Sequence, residues 1–102
     1  MSIPRGTTPM NYFSVPVDLT AASAIYITYA QLGRTVIEKT IEDLDELTEE
    51  ELAVKLTQDD TLALDASKQV EIQIRARFAD GNAVQSNIVQ TSVDRVLKDG
   101  VI

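Results

Sequence analysis

The sequence predicts an all-β protein: an antiparallel two-sheet sandwich, immunoglobulin-like in layout, with six or seven strands and one short helical corner. Apolar and polar residues alternate from Val70 to Phe78, which is typical of a strand buried on one face. Other short stretches rich in β-branched and aromatic residues are separated by turn residues. The clearest helix-start signal, at Thr57, is followed so soon by a strand that its helix has to be short. A small barrel is the alternative architecture.

The length and charge of the chain limit what it can be. Its 102 residues, 44% of them hydrophobic, predict a single domain over residues 1–102 with one real core. The net charge of −7 argues against general binding to nucleic acid or to anionic membranes. The chain has neither the apolar region of a signal peptide nor an apolar run of about 20 residues. We therefore expect it to be made and kept in the cytoplasm until it is assembled.

Histidine and cysteine are both absent from the sequence. This absence excludes disulfides, histidine or cysteine ligands for metals, histidine general bases and cysteine nucleophiles. The sequence also has no glycine-rich phosphate loop and no serine nucleophile elbow. We therefore expect no enzymatic activity and no cofactor, and we predict no catalytic, cofactor-binding or metal-ligating residue.

The first half of the chain predicts an edge strand followed by a hairpin. The edge strand is Met10–Val15, because prolines at both ends prevent its extension. The hairpin joins Ala24–Ala30 to Arg34–Ile41 through a turn at Gly33. On its first strand, Ile25, Ile27 and Tyr29 share one face, and Tyr26 and Thr28 share the other.

The second half predicts a short helix between strands. Thr57 can cap a helix whose first turn holds Asp59 and Asp60. Leu62 and Leu64 are expected to pack beneath this helix. The remaining predicted elements are a strand at Leu52–Leu56, the strand Val70–Phe78, a turn at Asp80–Asn82 and a return strand at Ala83–Val93. The tail, residues 94–102, is either a frayed final strand or an arm that faces a partner.

The acidity of the chain is concentrated in residues 42–51, which we call the acidic segment. Seven of these ten residues are acidic, and the remainder of the chain carries nine acidic and nine basic residues. A Ca²⁺ loop is one interpretation, although the segment lacks the spacing and the glycine of such loops. A solvated linker, or a strand edge protected by charge, is the other. Thr48–Glu51 has the form of a capping box, so a helix competes with the extended or loop structure that we favour.

Three features are candidates for chemistry or binding. Asp59 and Asp60 are adjacent carboxylates, but at a helix start we expect them to act as caps rather than as a catalytic dyad. Arg75 and Arg77 lie on one face of a strand, where we expect them to pair with acids across the sheet; a patch that binds carboxylates is the alternative. Tyr26 is either an exposed contact or part of the packing between the sheets.

Four stretches carry a resemblance to a known family: Ile3–Pro9, Val54–Leu62, Val70–Arg75 and Ser86–Ile102. Together they resemble a family of small uncharacterised prophage proteins of Gram-positive bacteria, over nearly the whole chain. The order of elements is also similar to that of the N-terminal sandwich domain of phage baseplate upper proteins. The resemblance supplies no catalytic residue. The acidic segment departs from the family pattern, which has a short turn with Gly or Asn there.

Two functional hypotheses follow. The resemblance implies a non-enzymatic phage or prophage structural or accessory protein of the tail or baseplate region, acting through protein–protein contacts. Its partners would be other copies of itself or other phage tail components. It would be located in the host cytoplasm before assembly, and the virion would be a second location. The alternative is a small-ligand binding module for carbohydrate or calcium; the acidic segment favours it, and the small number of aromatic residues counts against it.

Overall fold

A computed structural model describes all residues from Met1 to Ile102. Nine strands form two sheets, with one short α-helix and one 3-10 turn at Ile41–Asp43. The strands are β1 (Ser2–Pro4), β2 (Met10–Ser14), β3 (Ala22–Gln31), β4 (Arg34–Thr40), β5 (Leu44–Leu47), β6 (Glu51–Lys55), β7 (Val70–Phe78), β8 (Ala83–Gln85) and β9 (Val89–Asp94). The helix α1 covers Gln58–Leu62. None of the helices is both long and apolar enough to span a bilayer.

The two sheets differ in size. The larger has the order β1-β9-β7-β3-β4, with β8 also paired to β7, and the smaller has the order β2-β6-β5. All pairings are antiparallel except that of β1 with β9. The predicted two-sheet sandwich is therefore confirmed. It has more strands than predicted. The short strands β1 and β5 were not predicted, and the predicted return strand is divided into two.

The core lies between the sheets and follows the alternation seen in the sequence. On β7 the inward side chains from Val70 to Ala76 are buried, and Arg75 and Arg77 on the outward face are exposed. On β3 the predicted inward set of Ile25, Ile27 and Tyr29 is fully buried. From the smaller sheet, Leu52 and Val54 complete the same cluster. Burial of this apolar surface is the main stabilising contribution to the fold.

Two turns have the geometry that their residues predict. Leu32 and Gly33, between β3 and β4, both have positive φ angles, of 50° and 76°. This is the arrangement of a type I′ hairpin turn, whose twist matches that of the flanking strands. After β7, Gly81 has a φ of 91°, and the Phe78 amide donates to the Asn82 carbonyl across the turn.

The predicted return strand Ala83–Val93 is interrupted. The structure divides it into β8 and β9, with Ser86 at the break. The Ser86 amide donates to the Ile74 carbonyl, and the Ser86 hydroxyl accepts a 2.9 Å bond from the Ile74 amide. Since a side chain replaces one bond of the ladder, the strand can change direction there without leaving the Ile74 amide unpaired.

The first strand was not predicted, and it is held by distant residues. β1 runs parallel to β9, with Ser2 opposite Ser92. The loop after it is fixed by Thr61 of α1, whose fully buried hydroxyl accepts bonds from the Gly6 and Thr7 amides and donates to the Thr7 carbonyl. Both contacts are long-range, so the local sequence pattern around Ile3 gives little indication of them.

Beyond the 3-10 turn at its start, the acidic segment is strand and turn rather than α-helix, which agrees with the extended or loop structure that we favour. After the 3-10 turn it forms β5, an outer strand of the smaller sheet. Thr48–Glu51 makes a hairpin turn rather than a helix start: the Thr48 hydroxyl accepts from the Glu51 amide, and the Thr48 amide donates to the Glu51 carbonyl. The charges of the segment therefore lie along a sheet edge, where they oppose pairing with another strand.

The short helix begins as predicted, and the tail docks near it. Thr57 caps α1 by accepting a 3.0 Å bond from the Asp60 amide, and Leu64 is buried beneath. β9 ends at Asp94, so residues 95–102 form no strand. The tail instead returns to α1, where the Gln58 side chain bonds both the amide and the carbonyl of Ile102.

Candidate interaction surface

The outer face of the larger sheet presents a tyrosine beside two arginines. In the register of the sheet, Tyr26 of β3 lies directly opposite Arg75 of β7, and Gln85 of β8 lies beyond Arg75. Tyr26 is 45% exposed, so its predicted packing between the sheets is wrong, and its role as an exposed contact stays a prediction. Tyrosine and arginine are among the residue types that contribute most often to protein–protein binding energy.

The expectation that Arg75 and Arg77 pair with acids across the sheet was wrong. The register places Tyr26 and Gln85 on either side of Arg75, and Ala24 and Ala83 on either side of Arg77. None of these neighbours is acidic. The three ion pairs of the protein use other bases, namely Arg5, Lys39 and Lys68. Neither guanidinium donates a hydrogen bond within the chain, so both remain available to an external acceptor.

The two arginines line a shallow recess, which we call the cationic recess. Its volume is about 180 Å³, and it is lined by Ala24, Tyr26, Arg75, Ala76, Arg77 and Ala83. The alanines beside Arg77 are too short to cover its guanidinium. An aromatic ring and methyl groups therefore border two forked cationic donors, a combination suited to a carboxylate side chain.

The acidic segment provides carboxylates of two kinds. Two of them are used within the fold: Asp43 accepts from the Thr40 amide, and Asp45 accepts from the Lys55 amide. Of the others, Glu46, Glu49 and Glu50 are exposed and form no side-chain hydrogen bond or ion pair. No three acidic side chains lie close enough to hold a metal ion. The segment therefore presents unpaired negative charge along an edge of the smaller sheet.

Asp60 has a structural role in the helix cap, and Asp59 lies exposed beside it. The Asp60 carboxylate accepts from the Thr57 amide and forms a 2.7 Å ion pair with Lys39 of β4. Partial burial opposes ionisation of Asp60, but hydrogen bonds from Lys39 and Thr57 outweigh it and leave its pKa below the ordinary value. The capping interpretation is thus supported for Asp60. Its pairing with Lys39 is a cross-element contact that the sequence did not indicate.

A wide cleft of about 510 Å³ lies between β4, β5 and α1. It is polar and open, and it mixes lysines with aspartates. Lys39, Asp43 and Asp45 at this cleft are already engaged in bonds within the fold. The cationic recess differs because its charges have no internal partner, and for that reason we treat it as the candidate site.

The fold and the site together define an immunoglobulin-like β-sandwich with an exposed polar sheet face. No protein-family model and no curated protein sequence matches the chain. Among solved structures, it is similar to the immunoglobulin-like domain of mouse leukocyte-associated immunoglobulin-like receptor 1, solved as a strand-swapped dimer. The TM-score is 0.50 at 14% identity, covering 91% of this chain and 85% of that one. It is also similar to the V domain of amphioxus IgVJ-C2, with a TM-score of 0.40 at 14% identity, covering 92% and 99%.

The strand order agrees with this fold. In immunoglobulin lettering, β2, β6 and β5 correspond to strands B, E and D, and β9, β7, β3 and β4 correspond to G, F, C and C′. The cationic recess therefore lies on the outer face of the sheet formed by G, F, C and C′. At this level of identity the likeness shows the fold, and function has to be argued from the site itself.

Proposed function

We propose that this protein is a non-enzymatic phage or prophage structural or accessory protein of the tail or baseplate region, which acts through protein–protein contacts. The observation that supports protein–protein contacts is the cationic recess, where Tyr26, Arg75 and Arg77 are exposed on a sheet face and lack internal partners. The phage setting rests on the resemblance of the sequence to the prophage family. A flat face with an aromatic anchor and forked cations suits a protein surface better than it suits an enclosed small molecule.

The charge distribution supports the choice of partner. Outside the acidic segment the chain is balanced between acids and bases, so its surface lacks the excess of positive charge that nucleic acid or anionic lipid would require. We propose other copies of the chain, or other tail components, as the partners, and a homo-oligomer as the working state. On this proposal the protein is made in the host cytoplasm and joins the particle during assembly.

The proposal is tested on particles from a host that carries the gene. Particles and tail-assembly intermediates are purified, their proteins are identified by mass spectrometry, and the tail region is cross-linked with a carboxylate-to-amine reagent. We expect the chain in the particles or the intermediates, cross-linked to itself or to a tail protein. Its absence from both fractions, together with a strictly monomeric chain at high concentration, would contradict the proposal.

A matched pair of variants tests whether the recess carries the contact. Arg77→Ala removes a guanidinium that has no internal partner, so we expect it to reduce incorporation while leaving the fold intact. Arg34→Ala removes an arginine that is also exposed, from the first residue of β4. We expect normal incorporation of this control. Equal incorporation of both variants at the wild-type level would exclude the recess as the contact.

A further inference from the structure

We propose that the cationic recess binds the acidic segment of a second copy of this chain, so that copies associate head to tail. The inference deepens the proposed function and rests on it for its biological setting, since it identifies the partner as another copy. The inference rests on two surfaces of the same molecule. The cationic recess on the larger sheet has two unpaired cations, and the acidic segment on the smaller sheet has several unpaired carboxylates.

The recess has the chemistry of a carboxylate receptor. Arg75 and Arg77 are two residues apart on β7, so their side chains leave the same face of the sheet. Guanidinium groups bind carboxylates through two parallel N–H···O bonds, which adds geometric selectivity to charge attraction. The Tyr26 ring opposite Arg75 can hold that guanidinium in place by stacking and can shield the contact from water.

The acidic segment has the chemistry and the shape of the ligand. Glu49 and Glu50 lie at the tip of the turn between β5 and β6, and Glu46 lies just before it on β5. All three are exposed and have no side-chain bond to lose on docking. A turn that projects from a sheet edge can reach a shallow recess on a neighbouring molecule without any change in either fold.

The distribution of charge favours a second copy as the partner, even though each copy carries a net charge of −7. The Debye length in physiological salt is about 8 Å, so charges far from the contact are largely screened. Groups in direct contact are screened much less. Seven of the sixteen acidic residues lie in the acidic segment, so the strongest local attraction available to the recess from this chain is that segment.

The geometry makes the contact heterologous. Each copy uses its recess for one neighbour and its acidic segment for another, so every assembled pair still has one free surface of each sign. Contacts of this kind build rings when the rotation closes and open filaments when it does not. Either product would be suited to a structural component of a particle.

Charge reversal on each surface tests the inference by sedimentation velocity over a range of concentrations. The first variant, R75E/R77E, reverses the recess; the second, E49K/E50K, reverses the tip of the acidic segment. We expect wild-type protein to associate, each variant alone to associate about tenfold more weakly, and an equimolar mixture of the two to recover association. Wild-type association should also weaken when NaCl rises from about 0.05 M to about 0.5 M.

The matched control is R34E/R95E, which changes the net charge by the same amount as R75E/R77E. Arg34 and Arg95 are exposed and lie outside the ion pairs of the fold. We expect this control to associate like the wild type. Circular dichroism and thermal unfolding confirm that each variant is folded before it is compared.

Three results would overturn the inference: a strictly monomeric wild type, equal weakening in R34E/R95E and R75E/R77E, or a mixture of the reversed variants that stays monomeric. Each of these leaves the proposed phage role standing if the chain is found in phage particles with another protein as its partner, although a strictly monomeric wild type would remove the homo-oligomer from it. Conversely, if association follows the charge reversals but the chain is absent from particles and assembly intermediates, the head-to-tail contact stands and the proposed function fails.

Discussion

The phenol of Tyr29 donates a 2.7 Å hydrogen bond to the side-chain oxygen of Asn11, inside the core. Tyr29 lies on β3 of the larger sheet and Asn11 on β2 of the smaller one, so the bond connects the two layers of the sandwich. Both residues are buried. A buried polar pair is tolerated only when it is satisfied, and this pair therefore fixes how the two sheets face each other.

Loss of the Tyr29 hydroxyl should destabilise the protein. Tyr29→Phe leaves the Asn11 oxygen buried without its donor, which should lower the free energy of unfolding by about 1–3 kcal/mol in urea denaturation. Adding Asn11→Leu removes the unsatisfied group, so the double variant should lose less than the sum of the two single variants. Tyr26→Phe, at an exposed position, is the control and should change stability by less than about 0.5 kcal/mol. A Tyr29→Phe variant as stable as the wild type would contradict this account.

Alkaline pH should weaken the same core. Burial, with a smaller effect from the negative charge of Asp60, raises the pKa of Tyr29 above its ordinary value. Because the fold favours the neutral phenol, this contribution is complete below pH about 10 and is lost as pH rises further. Urea unfolding between pH about 8 and about 11 should therefore show a steeper loss of stability for wild type than for Tyr29→Phe. Parallel curves would show that ionisation of Tyr29 is not linked to unfolding.

Acid should remove the contribution of the ion pair between Lys39 and Asp60. The pKa of Asp60 is lowered in the fold, so its contribution is complete above the ordinary aspartate pKa of about 3.9 and is lost as pH falls below it. Asp60→Asn should lower the free energy of unfolding by about 1 kcal/mol near neutral pH. The difference in stability between this variant and the wild type should become smaller toward pH about 2. Asp59→Asn is the neighbouring control: Asp59 is exposed and forms no ion pair, so this change should alter the free energy of unfolding by less than about 0.5 kcal/mol near neutral pH. A stability difference between Asp60→Asn and the wild type that does not change with pH would refute the contribution of this ion pair.

The hydroxyl of Thr61 should hold the first strand in place. Thr61→Val keeps the shape of the side chain but leaves the Gly6 and Thr7 amides without their acceptor, at a cost of about 1–3 kcal/mol. Thr61→Ser keeps the hydroxyl and should retain most of the stability. Hydrogen exchange should show the Arg5 amide, which donates to the Asp94 carbonyl, losing protection in the valine variant alone. Equal protection in both variants would mean that the first strand is held by other contacts.

For the candidate site, the sequence placed Arg75 and Arg77 on the outward face of their strand, because side chains alternate along a strand, but it left Tyr26 open between an exposed contact and packing between the sheets. It could not tell which residues would flank them. The walls of the recess come from Ala24 and Ala83, on two other strands, and only the register brings these alanines beside Arg77. The same register places non-acidic residues opposite both arginines, so the acidic neighbours that the sequence analysis predicts are not beside them.

The local sequence determined the elements whose causes lie within a few residues: the strand Val70–Phe78 from its alternation, the turn at Gly33, and the helix start at Thr57 from its cap. Tertiary structure decided what depends on distant partners: the parallel pairing of Ser2 with Ser92, the bond between Tyr29 and Asn11, and the isolation of Arg75 and Arg77. The physical reason is range. Periodicity, turns and caps act between neighbours in the chain, whereas the choice of a partner across a sheet is set by how the whole core packs.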